Sequence, residues 1–169
     1  SWIWSGSSDG TYLRKTFKLD ETPASASTVI TGLTGFMLYV NGQKVGEEIG
    51  PWVDWKYPER IDIKPYLREG ENVIAAWGQY YSGQHYKPEY SDQYSAVALA
   101  LKAVFENGNT FTLETDRSWK GNFEQSDGWE TLHFDDSEWM NATVKGEIGD
   151  EPWGTGLLEN IGSSTTPYR

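Results

Sequence analysis

Between Gly50 and Pro58 the chain reads Gly50-Pro51-Trp52-Val53-Asp54-Trp55-Lys56-Tyr57-Pro58, three large rings set around one carboxylate. That combination suits sugar recognition, because an indole or phenol face receives the C–H face of a pyranose while a carboxylate accepts hydrogen bonds from its hydroxyls. A second run, Gly78-Gln79-Tyr80-Tyr81-Ser82-Gly83-Gln84-His85-Tyr86, continues through Pro88 and Tyr90. Its rings come with an imidazole and two amides, which supply both donors and acceptors. The candidate contact residues are therefore Trp52, Asp54, Trp55, Tyr57, Gln79, Tyr80, Tyr81, Gln84, His85 and Tyr86. Each run also has a plainer use. One or two rings of the first would plug an open end of the fold, and the tyrosines of the second would form a structural lid. Clusters of this kind in connecting segments carry function often enough for the binding reading to lead.

A third group, Asp127, Trp129 and Glu130 with His133 nearby, would join a polar site or hold a cation, but reads better as turn residues around a packed Trp. Trp119 and Trp139 are read as core, and Trp2 and Trp4 are left open. Zinc has only His85 and His133 to draw on, too few for an ordinary site, and the metal ligands stay unassigned. A glycosidase needs two carboxylates at a defined separation, and 25 acidic residues single out no pair. No Gly-rich phosphate loop is present, and Ser82-Gly83 lacks the preceding glycine of a nucleophile elbow. The chain is expected to be non-catalytic.

These segments need a scaffold, and the pattern around them is of short strands. Over Tyr12 to Leu19, Leu13, Phe17 and Leu19 alternate with Arg14, Thr16 and Lys18, the period of a half-buried strand. A second strand is expected over Ser27 to Thr31. The run Gly35 to Val40, then Asn41-Gly42, then Gln43 to Val45 predicts a hairpin. Arg60 to Ile63 reads as extended, Lys64 to Leu67 as one helical turn, and Val73 to Trp77 as a strand. Tyr94 to Phe105 has both faces apolar and is expected to be central in its sheet. Asn107-Gly108 reverses the chain into Thr110 to Thr115, and Asp116 to Gly121 extends the pattern. No internal repeat and no amphipathic helix of ordinary length is present. Many short strands separated by turn formers predict an all-β fold, a two-sheet antiparallel sandwich. Because both aromatic runs adjoin the segment Arg60 to Trp77, they are expected to meet at one end of the sandwich.

Length and charge narrow the partners. At 169 residues the chain is expected to form one domain over 1–162 with a tail or linker at 163–169. The absence of cysteine excludes disulfides and thiolate chemistry. A formal net charge of −11 repels phosphate backbones and anionic lipid, so neither nucleic acid nor membrane is an expected partner and a neutral glycan suits the field best. No run of about 18 apolar residues exists, and the start carries no basic or apolar region of an export signal. The 9 Trp and 10 Tyr exceed the needs of an ordinary core, which places some at the surface.

The order of Tyr39-Val40-Asn41-Gly42-Gln43-Lys44-Val45-Gly46, then Gly50-Pro51-Trp52-Val53-Asp54-Trp55, then Ile61 through Pro65-Tyr66-Leu67 to Gly70-Glu71-Asn72-Val73-Ile74-Ala75 resembles the galactose-binding-like jelly rolls. Within them it is most similar to the accessory modules of bacterial α-L-rhamnosidases and the sugar-binding domains of β-galactosidase-type enzymes. Thr115-Asp116-Arg117-Ser118-Trp119-Lys120, Phe134-Asp135-Asp136-Ser137-Glu138-Trp139 and Pro152-Trp153-Gly154 fit the same pattern, over about residues 2 to 155. The resemblance implies a jelly-roll sandwich and a non-catalytic carbohydrate-binding module for polysaccharide or oligosaccharide, attached covalently to a catalytic domain. It also implies an extracellular or periplasmic bacterial setting, and a monomer is expected. The alternative it carries is a structural sandwich that buttresses a catalytic domain and binds no glycan. Calcium is a possible cofactor by the same resemblance, with Asp135, Asp136, Glu89 and Asp92 as available oxygen ligands.

Overall fold

Apolar residues at alternate positions build the longest ladder of the molecule. In a computed structural model, which describes residues 1–5, 10–33, 35–50, 53–79, 96–151 and 153–157, β2 (Gly10–Leu19) pairs antiparallel with β7 (Gly70–Gln79), from Gly10 opposite Gln79 to Leu19 opposite Gly70. Leu13, Phe17 and Leu19 are buried, and Val73, Ile74, Ala75 and Ala76 are buried on β7. β7 then pairs with β4 (Gly35–Val40), which turns at Asn41-Gly42 into β5 (Gln43–Ile49). Asn41 has φ 49° and Gly42 φ 85°, the two left-handed positions of the tight turn expected from an Asn-Gly pair. On the other edge β2 pairs with β10 (Lys120–Asn122) and β10 with β11 (Met140–Asn141), giving the order β11-β10-β2-β7-β4-β5.

The second sheet is built on β8 (Val97–Val104), which lies between β3 (Ser25–Gly32) on one side and β1 (Trp2–Trp4) and β9 (Thr110–Glu114) on the other. β6 (Glu59–Asp62) and β12 (Thr143–Gly146) are its outer strands. β8 is central, as its two apolar faces require. Val97, Leu99 and Leu101 face the core shared with Leu13, Ile74 and Trp119, whereas Ala98 lies under a separate cluster of Trp2, Leu33, Trp55, Trp153 and Leu157. The two sheets are antiparallel throughout and face each other as a sandwich. No described helix is long and apolar enough to cross a membrane.

Two expectations change. Arg14, expected on the polar face of β2, is 1% exposed, because residues 126–139 fold over that face. Its guanidinium donates from Nε to the Trp129 carbonyl at 3.0 Å and from Nη2 to the Thr131 carbonyl at 2.6 Å, and Nη1 bonds Asp136. Asp116 to Gly121 is a turn followed by β10 rather than one continuous strand: Asp116 accepts from Ser118 N–H, and Trp119 N–H returns to the Asp116 carbonyl. The short strands β1, β11 and β12 carry too few residues to show a period of two. The segment from Lys64 to Leu67 does make one tight turn, a 3-10 helix over Lys64–Tyr66.

Candidate functional site

Strand register decides where the two aromatic segments are anchored. At one end of the sandwich, called here the proximal end, Gly10 lies opposite Gln79 and Gly35 opposite Ile49 in one sheet. In the other sheet Gly32 lies opposite Val97, and Glu59 is the first residue of β6, opposite Ile30. A methyl group built on Gly78 would come within 2.6 Å of Val97 and 3.0 Å of Trp4, so the two sheets are in contact at this end. The first aromatic run leaves Ile49 and returns at Glu59, and the second leaves Gln79 and returns at Ala96. All four anchor points belong to the proximal end.

Within the first run, a turn closes from Tyr57 N–H to the Asp54 carbonyl at 3.0 Å. Asp54 Oδ1 accepts from Lys56 N–H at 3.0 Å, and Lys56 Nζ stands 3.9 Å from Oδ2. One carboxylate oxygen thus shapes the turn and the other stays on a half-open side chain. Tyr57 is 43% exposed, which leaves ring surface for a ligand. Gln79 is partly buried at the last position of β7.

Trp55 does not present a ring to solvent. It is 6% exposed, and its backbone carbonyl accepts from Thr31 Oγ1 at 2.7 Å. Its indole meets Trp2 edge to face at 6.1 Å, and Trp2 stacks on Trp153 at 5.3 Å with planes 18° apart. The expectation of Trp55 as a stacking platform is corrected on this geometry: of the two uses considered for these rings, Trp55 serves as the plug. The reason is that three indoles with Leu33 and Leu157 cover the outer face of β8, where alanines leave room for them. Trp52, Tyr80, Tyr81, Gln84, His85 and Tyr86 lie outside the described residues, as does the tail expected at 163–169.

In the group at Asp127 to His133 only Trp129 is packed, and Asp127 and His133 are exposed on turns around it. Trp129 is buried with its ring edge-on to Tyr12 at 5.0 Å and to Tyr39 at 5.5 Å. Trp119 and Trp139 are buried as expected, and so are Trp2 and Trp4. The use of this segment as a cap over Arg14 has a sequence signal only in retrospect, an arginine in an apolar strand followed far along the chain by paired aspartates.

The carboxylates named for calcium have other duties. Asp136 bonds Arg14, and Asp135 accepts from Ser137 N–H at 3.0 Å, a contact that holds the Asp135 carboxyl below its ordinary range. Calcium needs six to eight oxygens, and among the described residues no three acidic or histidine side chains are grouped to hold an ion. Asp135 and Asp136 are thus engaged within the protein, while Glu89 and Asp92 lie outside the described residues.

The model of the family described as alpha-L-rhamnosidase N-terminal domain matches residues 21–126. An alpha-L-rhamnosidase of Formosa agariphila is 28% identical over 159 residues, an alignment that takes in 76% of this chain and 17% of the relative. The chain thus spans about a sixth of that protein's length. Among solved structures, the Streptomyces avermitilis alpha-L-rhamnosidase complexed with L-rhamnose superposes with a TM-score of 0.79 at 26% identity, over 91% of this chain and 15% of that one. The apo lectin of Pleurotus ostreatus gives 0.77 at 24% identity, over 92% of this chain and 44% of the lectin, a likeness of fold.

Proposed function

We propose that this chain, which belongs to the alpha-L-rhamnosidase N-terminal domain family, is a non-catalytic sugar-binding module that holds an attached glycan-degrading enzyme on a neutral glycan. The observation that carries the reading is the anchoring of both aromatic segments at the proximal end of the sandwich. Such convergence lets rings from one segment and amides from the other address one ligand. Tyr57 supplies a face and Asp54 an acceptor, and Trp52, Gln79, Tyr80, Tyr81, Gln84, His85 and Tyr86 complete the contact set. Trp55 acts from behind, by fixing the turn that carries Tyr57.

The net charge of −11 favours a neutral ligand over an anionic one. Affinity at one site is modest, since a small hydrated ligand keeps little net free energy after desolvation. Its use lies in tethering, which raises the local concentration of substrate around the attached enzyme. The catalytic domain belongs to the remaining five-sixths of the length seen in the relative, in an extracellular or periplasmic protein that is monomeric.

Affinity electrophoresis of the chain through gels containing neutral polysaccharides, run with and without a chelator, tests the reading. Retardation by at least one polysaccharide supports it, and loss of that retardation on chelation assigns calcium a part. Equal mobility in every gel supports the second reading, a sandwich that buttresses a catalytic domain. The burial of Trp55 among Trp2 and Trp153 favours that alternative, because it removes one of the candidate rings from solvent.

A further inference from the structure

The distal end of the sandwich, opposite the anchor points of the aromatic segments, carries a cleft of about 340 Å³. It opens where the turn after β2 meets the β8–β9 hairpin. Three apolar side chains stand among its polar lining: Leu19 is buried, and Phe105 and Phe111 are partly buried against the main core. Phe111 stacks on Phe17 with ring centroids 5.5 Å apart and planes at 19°, which fixes the ring before any ligand arrives. The hairpin wall is equally set, with Phe105 N–H donating to the Asn109 carbonyl at 2.8 Å and Asn109 N–H to Asn107 Oδ1 at 2.8 Å.

The rim is polar. Asp20, Glu21, Asn107 and Asn109 are exposed and line the cleft, and among the described residues the carboxylates of Asp20 and Glu21 have no protein partner. A cleft of this size, with preformed walls and mainly polar side chains set around two phenyl rings, has room and groups for a small polar ligand. Carboxylates accept from paired hydroxyls and carboxamides both donate and accept, while a phenyl face takes C–H surface. Those are the demands of a sugar ring. With two carboxylates and the single ammonium of Lys18 around it, the cleft disfavours an acidic sugar.

We propose that this distal cleft is a second contact site for a neutral glycan, so that the domain holds its ligand at both ends. The choice of ligand class rests on the sugar-binding reading given above. The ends lie about 30 Å apart, ten residues of β2 at about 3.3 Å each, so a single short oligosaccharide occupies one site and a long chain or a fibre surface engages both. Engagement at both ends multiplies retention without any new contact at either.

Amide shifts of the isotopically labelled chain, titrated with neutral rhamno-, galacto-, gluco- and xylo-oligosaccharides, test the proposal. At least one series is expected to shift residues 18–21 and 107–111 in a saturable way, and a D20A/E21A double variant is expected to weaken that response at least tenfold while the rest of the spectrum stays in place. Shifts at Tyr57, Gln79 and their neighbours alone overturn the distal site and leave the proximal one standing. Shifts at the distal residues alone uphold this site and remove the proximal one. No shift at either end with any series overturns both, as does a distal response that the double variant leaves unchanged for the distal site.

Discussion

Trp55 packs edge-on against Trp2, with ring centroids 6.1 Å apart and planes at 84°. The pair ties the connection after β5 to the outer face of the sheet that contains β1 and β8. Removing the Trp55 ring would leave a cavity between Trp2, Leu33 and Leu157, and large aromatic-to-alanine changes in a core cost about 3–5 kcal/mol. Trp55→Ala is expected to lower stability by about 3 kcal/mol in urea unfolding, and to weaken sugar binding indirectly, by loosening the turn that carries Tyr57. A variant of unchanged stability would show that the ring is not part of the core.

Tyr57 stands two residues away and behaves differently. It is 43% exposed, so Tyr57→Ala is expected to change stability by less than about 0.5 kcal/mol. If the ring receives a pyranose, binding of a neutral oligosaccharide weakens by about 1–2 kcal/mol, the scale of an aromatic contact residue. Calorimetric titration of the two proteins reads the difference.

Arg14 holds the segment 126–139 against the sheet through two carbonyls and Asp136. Arg14→Met keeps much of the volume but leaves the Trp129 and Thr131 carbonyls without donors, and unsatisfied buried acceptors cost about 1–3 kcal/mol each. A loss of about 2–4 kcal/mol is expected. Asp136→Asn keeps an acceptor for the guanidinium and should cost less than half as much. Urea unfolding of the three proteins orders them, and an Asp136→Asn loss equal to that of Arg14→Met would contradict this division of roles.

Acid stability should carry the mark of Asp116. Burial pushes its carboxyl up, but the side-chain and backbone hydrogen bonds from Ser118 outweigh it, with help from the charges of Lys15 and the amino terminus, and the folded pKa lies below the ordinary value. A group whose folded pKa is depressed contributes stability that is whole above its unfolded pKa of about 3.9 and is lost as the pH falls through the folded value. The unfolding midpoint in urea is therefore expected to decline below about pH 4, and Ser118→Ala is expected to shrink that part of the decline. Equal pH profiles for the two proteins would remove Asp116 from the account.

Periodicity made the main frame legible. Leu13, Phe17 and Leu19 predicted β2, Asn41-Gly42 predicted the β4–β5 turn, and the double apolar face of Tyr94 to Phe105 placed β8 in the middle of its sheet. What periodicity could not reach were long-range relations. Arg14 reads as a surface residue until residues 126–139, more than a hundred positions later, are laid over it. Trp55 reads as a loop aromatic until Trp2 and Trp153, from opposite ends of the described chain, close around it. Loop composition therefore pointed to the region of the candidate site, while the division of its rings between plug and contact depended on neighbours distant in sequence. Asn72 shows the same limit in a smaller space: its side chain bonds Arg68 N–H, the Arg68 and Gly70 carbonyls and Asn41 Nδ2, knitting the helical turn to the hairpin in a way no spacing rule anticipates.

Sugar recognition at the proximal end is the centre of this account, and an array of neutral glycans probed with the labelled chain at neutral pH addresses it most directly. Saturable binding to at least one glycan, reduced by Tyr57→Ala, is the predicted result. An array left blank by a protein with a cooperative unfolding transition would contradict it.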